Sequence, residues 1–156
     1  MAHYPLLFKF RNLVVGNGFI AGIEARGRAL MVEESPENWW MYGVQPGALA
    51  EGGETWKDAY QAFLNSYTAI LVDVAESTSG FEEFKAEVTS FLKDSCEPRA
   101  DEWHAAVLER RSGNKPEGMK LGEEPADTPL DLGIEKLLEF EPGKNVVEPE
   151  APRLAA

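Results

Sequence analysis

Two histidines, one cysteine and a scatter of carboxylates are the residues from which this 156-residue chain would have to build acid–base or nucleophilic chemistry. A Ser-His-Asp or Cys-His arrangement needs a base within reach of its nucleophile and a third group to orient that base. His3, near the N-terminus, and His104, beside Trp103, leave few ways to assemble one. His104 reads instead as a surface or packing residue of a helix. Cys96 stands alone, so it offers neither an intramolecular disulfide nor the ligand spacing of a zinc site. Glu33, Glu34, Glu51, Asp73 and Glu76 are oxygen donors of the kind a divalent cation takes, but their spacing prescribes no site. The glycine-rich stretches "GNG" (16–18) and "EGGET" (51–55) lack both the Walker pattern and the spaced glycines of a dinucleotide loop, and read as turns. The expectation is a protein with no catalytic residues, no metal and no cofactor: not an enzyme.

What remains is charge. Lys9, Arg11, Arg26 and Arg28 form a local basic group, and the two-residue period of a strand puts Lys9 and Arg11 on one face. They are candidates for contact with nucleic acid, or simply the wet side of a hairpin. The chain as a whole runs against a polyanion, because 15 Lys and Arg face 27 Asp and Glu, a formal net charge of −12. A basic protein is the more natural partner. The single cysteine suits a reducing compartment, "MAHYPLLFKFRN" lacks the pattern of a leader, and no apolar run approaches the ~18 residues of a membrane span. A cytoplasmic location is expected.

The elements that must position these groups follow from periodicity. "LLFKFRNLVV" (6–15) reads as a strand closed by the "GNG" turn. "FIAGIEA" and "ALMVEES" flank "RGR", and the nearly continuous apolar run "WWMYGV" (39–44) suits a central strand. "ALAEGG" supplies one more short strand after Pro46 and Gly47. Thr55 then begins a helix, with Asp58 at capping-box spacing and suited to the positive helix end. Trp56, Tyr60, Phe63, Tyr67, Ile70, Leu71 and Val74 form its apolar stripe, while Trp39, Trp40 and Tyr42 join Trp56, Tyr60 and Phe63 as expected core. A second helix follows Gly80, and a third spans 99–111. The fold class is therefore α+β: an antiparallel meander of four to five strands covered by two or three helices.

Residues 1–111 read as this domain and 112–156 as an acidic, proline-rich and extended tail, with 10 acidic and 5 basic residues. Within the tail, "LDLGIEKLLEF" (130–140) reads as a short helix or a docking peptide. Its Leu137, Leu138 and Phe140, with the exposed acids Glu33, Glu34 and Glu51, are the candidate partner contacts.

The succession "ALMVEESPENWWMYGVQPGALAEGGETWKDAYQAFLNSYTAILVDVA" (29–76 in outline) resembles the HicB-like antitoxins. The positions that carry the likeness are Val44, Pro46, Gly47, Gly53, Thr55, Asp58, Ala59 and Phe63, with Asp58 where the family more often has Glu. The resemblance implies a small sheet with helices on one face and a noncatalytic protein that masks a basic HicA-type ribonuclease toxin. Residues 112–156 show no DNA-binding segment of the kind many relatives carry. Self-association, or reuse of the fold as an accessory protein of phage or mobile-element origin, is the alternative. The terminal "RLAA" is similar to tails read by bacterial unfoldase proteases.

Overall fold

The computed structural model describes residues 2–109, 115–123 and 129–141. Strands β1 (Ala2–Val15), β2 (Phe19–Ser35), β3 (Asn38–Gln45) and β4 (Ala50–Gly53) lie in that order in one antiparallel sheet. Helices α1 (Trp56–Ser77), α2 (Phe81–Lys93) and α3 (Glu97–Glu109) follow, and β5 (Leu132–Glu139) returns to pair with β2. The α+β class and the antiparallel sheet are as expected.

β2 is the spine. It runs unbroken through "RGR", which the sequence pattern sets between two separate segments. The reason is local: a Cβ on Gly27 would stand 2.3 Å from the Phe8 ring, so the glycine makes room for an aromatic lying over the strand. β1 pairs along the whole of β2, and the other edge of β2 is shared. Residues 28–35 of β2 pair with β3, whereas 19–25 pair with β5.

Strand alternation gives the sheet two distinct faces. Tyr4, Leu6, Phe8, Phe10 and Val14 of β1 with Ala21, Ile23, Ala25 and Met31 of β2 point to the main core, which α1 and α2 cover. α1 meets it with Ala59, Phe63, Tyr67, Leu71 and Ala75, a strict four-residue repeat. Its start is fixed by Thr55, whose side-chain oxygen accepts the Asp58 N–H at 3.1 Å. Each large apolar side chain so buried contributes roughly 1.5–3 kcal/mol.

Tyr67 is the exception within that core. Its ring stacks on Phe10 at 3.9 Å between centroids, yet its buried hydroxyl has no hydrogen-bond partner among the described residues. Burial pushes this phenol's pKa well above its ordinary value. Tyr67→Phe keeps the ring and removes the stranded dipole, so thermal or urea unfolding should show a gain of about 1 kcal/mol. A loss of similar size would mean that the hydroxyl has a partner in solution.

The third helix departs from expectation. Rather than joining α1 and α2 on one face, α3 crosses to the other, where Trp103, Ala106 and Val107 pack with Leu30, Val32 and Val44. The passage is pinned at the β3–β4 turn: Gly47 N–H donates to Asp94 O and Cys96 N–H to Val44 O, both at 2.9 Å. Pro46 in this turn follows a cis peptide bond.

Nor does the folded domain end at residue 111. Met119 is buried, Leu121 bridges Leu6, and Gly122 N–H donates to Pro5 O at 2.8 Å. The 130–140 segment, read as helix or peptide, is strand β5. A truncation intended to remove only an appended tail must therefore begin after residue 141.

Candidate interaction surface

The same alternation that builds the core leaves half of the second face bare. On it lie Lys9, Arg11, Leu13 and Val15 of β1, opposite Arg26, Glu24, Gly22 and Ile20 of β2. β5 adds Gly133 and Glu135, opposite Glu24 and Gly22. α3 covers only the other half of this face, over Leu30 and Val32. On the bare half Leu13 is 64% exposed, Val15 54%, Leu137 51% and Leu138 45%, which is unusual for leucines and valines on one contiguous surface. A shallow groove of about 590 Å³ runs between Leu13 and Leu137. Its floor is Gly22, where a Cβ would stand 3.2 Å from Leu137 and 3.8 Å from Leu13, and its rim carries Arg11, Glu24 and Glu135. Arg11 and Glu24 pair at 3.2 Å, both well exposed, so this pair adds little to stability.

Of the residues singled out from sequence, Leu137 and Leu138 belong to this surface. Phe140 follows directly, half-buried, its N–H donating to Gly18 O at 2.9 Å. The three acids lie elsewhere. Glu33 and Glu34 are at the far end of β2, where Glu34 accepts the Tyr42 hydroxyl, and Glu51 on β4 accepts Ser66 Oγ at 2.6 Å. The Tyr42 phenol is pushed up to about 12, by burial first and by the Glu34 carboxylate second. Arg99 lies across the same ring, its Cζ 3.9 Å from the centroid. Glu34 and Glu51 are therefore held in local hydrogen bonds and, with Glu33, lie at one end of the sheet, while the exposed leucines occupy the other.

The basic group is divided as well. Lys9, Arg11 and Arg26 are exposed on the bare half-face, but Arg28 is 1% exposed, its guanidinium 5.4 Å from the Trp103 ring centroid beneath α3. Arg28 thus presents no surface to a phosphate. His104 lies exposed on α3, and Cys96 is half-buried in the linker. Among the described residues no group of His, Cys, Asp and Glu is placed to hold a metal ion, and no helix is long and apolar enough to cross a membrane. Glu83 has a lowered pKa because Ser79 N–H and Oγ–H both donate to it, which ties the residues before α2 to its first turn. The "RLAA" terminus lies outside the described residues.

Sequence reasoning passed over Leu13, Val15 and Gly22. The signal was present, since Leu13 and Val15 share the parity of Lys9 and Arg11, so the face read as wet is half apolar. No family model, curated protein or solved structure significantly matches this chain.

Proposed function

We propose that this chain is a noncatalytic, HicB-like binding protein that neutralises a basic protein partner, a small HicA-type ribonuclease being the class the resemblance implies. The observation that carries the reading is the bare half-face: exposed Leu13, Val15, Leu137 and Leu138, of which Leu13 and Leu137 line a glycine-floored groove with Arg11, Glu24 and Glu135 at its rim. Apolar contact supplies affinity there, while long-range attraction to a basic surface comes from the chain's net charge of −12 rather than from the rim, where Arg11 pairs with Glu24. The order of strands, Pro-Gly turn and Thr55-capped helix supports the family likeness. Glu33, Glu34 and Glu51, distant from the groove, would act through long-range charge rather than through contact with the same patch.

Capture of the tagged full-length protein from its native host should recover a small basic ribonuclease that is inactive in the complex. The double change Leu13→Asp and Leu137→Asp places charges in the groove without touching the core, and should lower recovery at least tenfold, about 1.4 kcal/mol or more. Circular dichroism should be unchanged. If the protein instead forms a stable homodimer that this double change dissolves, and no basic partner is recovered, the half-face is a self-association platform and the antitoxin reading fails.

A further inference from the structure

We propose that a second groove, between the edge of β1 and the first two turns of α1, binds a nucleoside phosphate, its ring against Trp56 and Tyr60 and its phosphates held by Lys9, Lys57 and Lys120. The groove encloses about 850 Å³, within the range of small-molecule sites. It shares no lining residue with the groove between Leu13 and Leu137, although its Lys9 and Arg26 stand on the same sheet face as that groove.

Charge is the first argument. In a chain where acids outnumber bases by 27 to 15, Lys9, Arg26, Lys57 and Lys120 line one groove and no carboxylate lines it. Elsewhere Arg11, Arg99 and Lys136 are ion-paired, but none of these four makes a salt bridge among the described residues. Four cations in one groove repel one another, Lys9 and Arg26 being partly offset by Glu24 and Asp131 of the adjoining depression, and an anion at Lys57 and Lys120 relieves what remains. At physiological ionic strength the Debye length is about 8 Å, so the field inside the groove is set by these neighbours rather than by the net charge of the whole chain.

Aromatic geometry is the second argument. Trp56 and Tyr60 meet edge to face, 6.2 Å between centroids, and both are half-buried. Lys57 Nζ lies 5.9 Å from the Trp56 ring centroid, so a cation already neighbours the ring against which a base would stack. Burial raises the Tyr60 pKa, so its hydroxyl stays a neutral donor. Gln61, also in the lining, adds an amide able to read a base edge.

The ligand is short. Past Lys9 and Arg26 the surface turns acidic, with Glu24 and Asp131 in the adjoining depression. A phosphate backbone continuing that way would meet two carboxylates, so a mononucleotide fits better than a polymer.

Calorimetric titration of the full-length protein with ATP at about 50 mM salt tests the site, with adenosine, inorganic triphosphate and a single-stranded oligouridylate as comparison arms. ATP is expected to bind saturably below about 1 mM. Lys57→Ala with Lys120→Ala should weaken ATP at least about tenfold, and Trp56→Leu should weaken ATP about tenfold while leaving triphosphate unchanged. Lys85→Ala, an exposed change in α2 outside both grooves, should leave ATP affinity unchanged. No saturation by ATP at about 1 mM, or ATP binding unaffected by the double lysine change, overturns the proposal. So does an oligouridylate that binds more tightly than ATP and loses its affinity in the same double variant, which would make the groove a single-stranded RNA site.

Discussion

Trp103→Ala is expected to cost about 3–5 kcal/mol, the largest loss from any single truncation in this chain. The indole is fully buried and forms the centre of the smaller core, with Leu30, Val32 and Val44 beneath it and Ala106 and Val107 beside it in α3. Two further interactions go with the ring. Its Nε1–H donates to the Leu6 carbonyl at 3.2 Å, and Arg28, itself 1% exposed, faces the ring at 5.4 Å. Removing the indole leaves a cavity, a buried carbonyl short of a donor and a buried cation beside a void. The 115–123 segment is also affected, because Gly122 packs so closely on Trp103 that a Cβ there would stand 2.4 Å from the ring. Trp103→Phe separates these terms. It retains an aromatic face for Arg28 but loses the N–H and part of the volume, so its loss should be about half. Urea unfolding measures the sum, and hydrogen exchange should show lost protection confined to α3 and the first residues of β1, with α1 unchanged. Wild-type stability in Trp103→Ala would mean that α3 does not dock on this face.

The same helix marks the limit of what the sequence discloses. α1 is legible because everything that defines it is local: the Thr55 cap, Asp58 in the first turn, and an apolar stripe that repeats over five turns and more. The β1–β2 hairpin is legible for the same reason, since its "GNG" turn supplies Gly18 at φ 93, a conformation that favours glycine. α3 has an equally readable stripe, but a stripe says only that a helix docks, not on which face of the sheet. The passage to that face runs through the Gly47 and Cys96 backbone hydrogen bonds, which no periodicity encodes.

β5 is the harder case. Ile134, Leu137 and Leu138 have helical spacing, so local pattern favours a helix over 130–140. The unpaired edge of β2 at residues 19–25 supplies a partner for a strand, and seven residue pairs of ladder override the local preference. A bulge between Ile20 and Ala21 also shifts the register there, which interrupts simple alternation in a strand that carries both Leu137 and Leu138. Arg28 misleads in the opposite direction. From sequence it belongs to a basic group on the wet side of a hairpin, whereas β2 continues and the pleat turns its side chain under Trp103. The apolar character of the bare half-face was legible in the parity of Leu13 and Val15, but its exposure was not, because that depends on how far α3 reaches, a tertiary quantity.

Gly43→Ala should show how strongly the β3–β4 turn controls that choice of face, at a cost of about 3 kcal/mol. Gly43 is buried, and a Cβ there would stand 2.1 Å from the Pro46 carbonyl oxygen and 3.1 Å from that of Leu49. Both obstacles are backbone, so no rotamer change relieves them. Its own N–H donates to Leu49 O at 2.7 Å, a bond that closes the turn. Opening the turn to admit a methyl group must move Val44 and Gly47, and these are the residues that hold Cys96 and Asp94 in the linker to α3. The loss should therefore spread: weaker protection in β4 from direct strain, and weaker protection in α3 although no α3 side chain is altered. Gly133→Ala is the control, an exposed glycine whose added Cβ would meet nothing closer than 3.8 Å, and it should shift stability by no more than about 0.5 kcal/mol. If Gly43→Ala weakens β4 and leaves α3 at wild-type protection, the turn does not steer the helix, and the Trp103 cluster alone holds it to its face.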